Sequence, residues 1–194
     1  MPFTEKEYQK ILDTVPKAFE DSARAKKVRA IVQLMRYSGL AIRDGVTLQR
    51  SELEWDPRKK IHRVTTKRQK TGTHVSVPIP ADVAAELLAV LNGNPAYFFW
   101  STGTGKEQSA VTNWQHELRH LFRTAGFAEG HPHQLRDTAA VEWLTSGIPL
   151  EEVSKLLGHE SVKTTEKHYS PWIQGRQDRL DDLVMASWAK KKKR

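Results

Sequence analysis

His133-Gln134-Leu135-Arg136-Asp137-Thr138, then Leu156-Leu157-Gly158-His159-Glu160-Ser161, then Lys167-His168-Tyr169-Ser170: the order of these pieces decides how the chain is read. His133 and Arg136 stand three residues apart, so a helix puts both on one face. A guanidinium fork matches two non-bridging phosphate oxygens. An imidazole can donate a hydrogen bond or take a proton near neutral pH. Gly158 permits the left-handed turn that aims His159 back into a cleft. Tyr169 adds a hydroxyl nucleophile, weak at its ordinary pKa of about 10. Neighbouring guanidinium and imidazolium charges are expected to favour its phenolate. Each piece alone has a plainer reading: a structural histidine, a surface arginine, a core aromatic. The stretch from Leu150 to Thr165 alone also has the outline of a helix-turn-helix DNA reader, which gives Tyr169 no special role.

Working outward, the pattern is mostly helical. Thr4 and Glu7 form a capping-box start, and Tyr8, Ile11, Leu12 and Val15 keep helical spacing until Pro16 bends or ends the helix. Residues 23–38 predict a second helix with a broad apolar face, closed by Gly39, and a short helix follows near residues 42–48. Trp55-Asp56-Pro57 reads as a turn. Residues 61–65 and 75–79 read as strands, joined by a hairpin turn at Lys70-Thr71-Gly72-Thr73. Pro78 and Pro80 close the sheet edge. Helices are expected at 81–91, 109–125, 133–146, 149–157, 161–168 and about 176–189, the last with Leu180, Leu183, Val184 and Trp188 on one stripe. Tyr97-Phe98-Phe99-Trp100 reads as core. The Gly105-Lys106 pair lacks the remaining residues of a phosphate loop and reads as a plain turn.

The totals narrow the class. A chain of 194 residues supports one well-buried core, or at most two small ones. No apolar run reaches the length of a membrane span, and the N-terminus has no signal-peptide pattern. Zero cysteines exclude disulfides and thiolate metal sites and fit a reducing cytoplasm. The net charge of +8 suggests a polyanionic partner. Five of the positive charges lie in Lys190–Arg194, so the body is only mildly basic.

Taken together, the three motifs resemble those of the tyrosine recombinases, the phage-integrase-like family, with a match from Thr4 to about Trp188. The resemblance implies a mainly α fold with a small antiparallel β-sheet (α+β), that family's DNA breaking-rejoining catalytic fold. It implies that Tyr169 attacks a DNA phosphate and forms a 3′-phosphotyrosyl bond. Arg136 is then the stabiliser of the phosphorane, His133 the proton handler, and His159 the donor to a non-bridging oxygen. Lys70 in the hairpin matches the general acid best, with Lys67 second. The family uses no metal or other cofactor. Its partner is a double-stranded DNA recombination site, held by a synaptic homotetramer whose C-terminal segments dock on neighbouring protomers; the bland alternative packs that segment on its own core. A cytoplasmic, nucleoid-associated protein with no membrane partner is expected.

One position departs from the pattern. The family carries another arginine in Gly-Leu-Arg, and here the segment reads Gly39-Leu40-Ala41-Ile42-Arg43-Asp44. Arg43 or Arg36 substitutes, or the protein is a slow or DNA-binding-only relative, or the arginine was replaced by design to trap a DNA complex. Asp44 stands at the family's usual acidic position as a support. The reading gives residues 1–189 as the catalytic domain and 190–194 as a basic tail that contacts phosphate or aids solubility. The family's separate N-terminal DNA-clamping domain is not expected in this chain, which reads as an excised domain or a short single-domain member.

Overall fold

The computed structural model describes residues 1–191; the side chains at 174, 176, 178, 179 and 186–191 are not among the described ones. Trp188 and the basic tail beyond Lys191 therefore lie outside the described residues. The expected class is found: among the described residues there are eight α-helices, a short 3-10 turn at Arg50–Glu52 and one three-stranded antiparallel sheet. Among the described residues, no helix is long and apolar enough to cross a membrane.

Helix α1 (Glu5–Ala18) opens on the expected capping box, in which Thr4 Oγ1 accepts from the Glu7 N–H and Glu7 accepts from the Thr4 N–H at 2.8 Å. Pro16 does not end it, because a proline this close to the C-terminus costs few hydrogen bonds. Helix α2 (Ser22–Ser38) stops at Gly39, whose φ of +65° gives the left-handed cap. A short α3 (Ile42–Val46) leads to the sheet.

The sheet corrects one expectation. Trp55 and Asp56 belong to a strand, β1 (Leu53–Asp56), and the turn falls on residues 57–60. Four half-exposed residues are too few to show an alternation, and pairing with β2 (Ile61–Lys67) supplies the order instead. Strand β3 (His74–Ile79) pairs with β2 through the hairpin. It lies at the sheet edge, where Pro78 removes no needed donor.

Helices α4 (Ala81–Leu88), α5 (Glu107–Thr124), α6 (His133–Thr145) and α7 (Leu150–Leu157) follow close to the expected ranges. The two helices expected at the end are one, α8 (Val162–Lys191), which runs through Pro171. Trp172 and Ile173, just past that proline, pack onto the molecule and hold the helix in line.

Two apolar clusters result. The larger is made by α1, α2, α4 and α5 with the inward face of the sheet; Phe98 and Phe99 of the aromatic run are buried in it. The smaller joins Ala140 and Leu144 of α6, Val153 and Leu157 of α7, and Tyr169 of α8. Helix α6 belongs to both, since Leu135 packs in the first. The N-terminal turn of α6, where His133 and Arg136 lie, therefore sits at the junction.

Candidate active site

A cleft of roughly 520 Å³ opens at that junction, and the five catalytic candidates of the sequence line it: Lys70, His133, Arg136, His159 and Tyr169. They arrive from the β2–β3 hairpin, α6, the loop after α7, and α8. Ala41 and Asp44 form part of the same wall.

Arg136 is the fixed point. It is 3% exposed, and its Nη1 donates to the Gly39 carbonyl at 2.5 Å while Nη2 donates to the Leu157 carbonyl at 2.9 Å. Those carbonyls close the C-terminal ends of α2 and α7, where helix dipoles concentrate negative charge. The guanidinium is thus satisfied by partial charges, with no carboxylate among its hydrogen-bond partners, and its full charge stays available to an anion. Burial, with Arg68 as the next cause, lowers its pKa to about 10.

Arg136 also fixes His159. Its Nη2 lies 3.0 Å from His159 Nε2, and a guanidinium only donates, so Nε2 accepts. The proton then sits on Nδ1, which donates to the buried Thr165 Oγ1 at 2.7 Å. Desolvation, then Arg136 and Arg68, push this imidazole down to about 4, so it is neutral at neutral pH. The donor role implied by the resemblance requires His159 to take up a proton or exchange tautomers when an anion arrives.

Tyr169 departs from expectation. The neighbouring cations do not bring out its phenolate. Its ring is buried, its hydroxyl donates to Asp137 Oδ1 at 2.8 Å, and its pKa is raised by burial and then by the Asp137 carboxylate. Arg136 pulls the other way but does not prevail. His133, with its side chain 60% exposed, has Nε2 3.6 Å from the same Asp137 oxygen. The two residues read as proton partners share a carboxylate.

The hairpin bears two further results. Lys70 is exposed at the tip and lines the cleft, and the adjoining Thr71 hydroxyl lies 3.4 Å from the Gly158 carbonyl. Lys67 is exposed and absent from the cleft wall. Alternation along β2 instead turns Val64 and Thr66 inward and carries on to Arg68 just past the strand, and all three are buried. Sequence reading missed Arg68. The signal was there: an arginine continuing the alternate positions of Val64 and Thr66, one residue past the strand.

The two arginines expected to substitute at Ala41 are engaged elsewhere. Arg43 lines the rim and pairs with Glu107 of α5. Arg36 is buried against the Tyr8 and Tyr37 rings and pairs with Glu142 of α6, away from the cleft wall. Among the described residues, no group of three His, Asp or Glu side chains is arranged to hold a metal ion.

Comparison with known proteins bears on what such a cleft does. A family model described as the phage integrase family matches residues 2–171. Tyrosine recombinase XerA of Pyrococcus furiosus is 30% identical over 193 residues, which is 93% of this chain and 63% of XerA. The XerH recombinase, solved bound to a palindromic difH substrate after cleavage, shares the fold with a TM-score of 0.69 at 16% identity, over 95% of this chain and 52% of that one. The catalytic domain of bacteriophage HP1 integrase aligns with a TM-score of 0.58 at 17% identity, over 88% of this chain and 87% of that domain. The chain spans about half the length of the curated relatives it matches.

Proposed function

The chain belongs to the phage integrase family, and on that premise we propose that it is the catalytic part of a site-specific DNA recombinase that cuts and rejoins strands through Tyr169. The observation that carries this reading is the convergence of Tyr169, Arg136, His159, His133 and Lys70 on one cleft.

The Tyr169 oxygen attacks the scissile phosphorus and the bond to the 5′-oxygen breaks, leaving a 3′-phosphotyrosyl ester. The Tyr169 proton passes to the Asp137–His133 pair, which already meets its hydroxyl. Lys70 gives a proton to the departing 5′-oxygen. Arg136 holds the non-bridging oxygens in a site dry enough for charge to count. His159 follows as the anion draws a proton onto Nε2. The ester keeps the energy of the phosphodiester, so rejoining is the same step reversed.

The partner is a double-stranded recombination site, contacted at the rim by Arg43 and outside the cleft by Lys67. The second half of α8 supports assembly on DNA: Leu180, Leu183 and Met185 are exposed apolar side chains that leave their own core uncovered by them. In this reading they dock on neighbouring protomers of a homotetramer. The site of action is the cytoplasm, on DNA.

A nicked suicide substrate drawn from the DNA flanking the gene tests this. A protease-sensitive covalent adduct on a denaturing gel is expected, absent in Tyr169→Phe while DNA binding persists. The second reading is a DNA-binding relative without strand cleavage, favoured by Ala41. It predicts no adduct with the native chain and none with Ala41→Arg; that outcome would falsify the cleavage reading.

A further inference from the structure

The cleft holds a buried guanidinium that nothing so far employs. Arg68 stands one residue past β2 and continues its inward face, is 8% exposed, and lines the cleft with Arg136. Its Nη1 is 3.1 Å from Asp44 Oδ2 but off the line of a hydrogen bond, and that nitrogen is buried without a hydrogen-bond partner. Asp44 accepts instead from the Gln69 N–H at 2.7 Å, so one carboxylate secures both the base of the hairpin and the cation beside it. A buried donor left without a partner is costly, and such groups mark places where a ligand completes the set.

The surroundings are shaped for this side chain. Gly158, in the left-handed region at φ +66°, has no Cβ, and one placed there would stand 2.6 Å from Arg68 Cγ and 2.8 Å from a Val75 methyl. The stem of Arg68 passes through the room the glycine leaves. Electrostatics agree: Arg68 lowers the pKa of both Arg136 and His159, second to burial at Arg136 and after burial and Arg136 at His159. Two guanidinium groups facing one small cleft repel each other until an anion comes between them.

Ala41 lies on the same wall, and Asp44, three residues on, shares its side of α3. We propose that Arg68 supplies the phosphate-binding guanidinium that Ala41 does not, so that Arg68 and Arg136 clamp the non-bridging oxygens of one phosphodiester. The carboxylate near Ala41 pairs with a cation that comes from the base of the hairpin. This rests on the recombinase reading and deepens it.

Inorganic phosphate, titrated into the whole chain and followed through arginine Nε–H resonances, tests the assignment. The Arg68 and Arg136 signals are expected to move with one midpoint. Arg68→Gln is expected to weaken phosphate about tenfold or more, as loss of a charge-assisted pair does. Ala41→Arg in that background is expected to restore most of the loss, which a purely structural role for Arg68 does not allow. Where Arg68→Gln fails to fold, Arg68→Lys retains the charge beside Asp44 and decides by the same midpoint. Movement of Arg136 alone, an unchanged midpoint in a folded Arg68 variant, or no shift at the highest phosphate the chain tolerates overturns the proposal. The suicide substrate separates the two readings. Phosphate held by both arginines without any adduct rejects cleavage and leaves Arg68 in place. An adduct formed equally well by the Arg68 variants does the reverse.

Discussion

Arg136 is held by three contacts from two parts of the chain, the Gly39 carbonyl after α2 and the Leu157 carbonyl and His159 at the end of α7, whereas the Tyr169 hydroxyl is held by one, to Asp137. The cation belongs to a wall built from helix ends at the junction of two clusters. The candidate nucleophile belongs to the smaller cluster, on a helix in which Pro171 has no N–H to give the Lys167 carbonyl. The difference fits what each would do in the proposed reaction. Groups that stabilise a developing charge are effective only if already in place. A nucleophile has to leave its resting partner before it attacks, and a neutral phenol bound to a carboxylate is at rest. The cleft is therefore set on one side and poised on the other.

The sharpest way to break this comparison is to remove the cation. Arg136→Ala strands two buried helix-end carbonyls, and a loss of about 2–5 kcal/mol is expected in urea unfolding. Tyr169→Phe removes one hydrogen bond and keeps the ring, so about 1 kcal/mol is expected. Equal losses would mean that the two sides are equally rigid.

A smaller effect is expected at the glycine between them. Gly158→Ala forces both a left-handed alanine and a clash with Arg68 and Val75, and should cost about 2–4 kcal/mol. Gly72→Ala has nearly the same φ, +69°, with nothing within 4 Å of the added carbon, and should cost about 1 kcal/mol. The gap between the two measures the packing of Arg68 apart from backbone strain. If there is no gap, the hairpin is not seated on Gly158.

The smallest effect concerns the resting phenol. Asp137→Asn removes a carboxylate that raises the Tyr169 pKa, so the phenol should titrate closer to its ordinary value, as read by near-ultraviolet difference absorbance. The linkage has a definite sign. Above pH about 10 an unfolded tyrosine gives up its proton while folded Tyr169 keeps it, so stability contributed by this group falls as pH rises past that point. Asp137→Asn should make that fall shallower. An unchanged slope would remove Asp137 as the group that holds the Tyr169 phenol neutral.

The legible parts of the sequence were those where side-chain type and spacing suffice. Thr4 and Glu7 announced the first helix, Gly39 ended the second, and Val75, Val77 and Ile79 gave a strand by alternation. Strand β1 was hidden because four half-exposed residues carry no pattern of their own. The continuity of α8 was hidden because Pro171 is a local breaking signal overruled by the packing of Trp172 and Ile173.

Order and residue type by themselves determined the family and its candidate nucleophile, imidazoles and cation, because a phosphodiester chemistry needs those groups wherever the chain brings them. Tertiary structure alone decided their state. It buried Tyr169 beside a carboxylate and turned the Nε2 lone pair of His159 toward Arg136. It also chose among the arginines: Arg36 and Arg43 are nearer to Ala41 in sequence, but carboxylates on α6 and α5 hold them. Arg68, far off in sequence, is brought to the cleft by the pleat of β2 and the missing side chain of Gly158. Which charges face one another depends on packing between distant elements, and sequence spacing does not encode that distance.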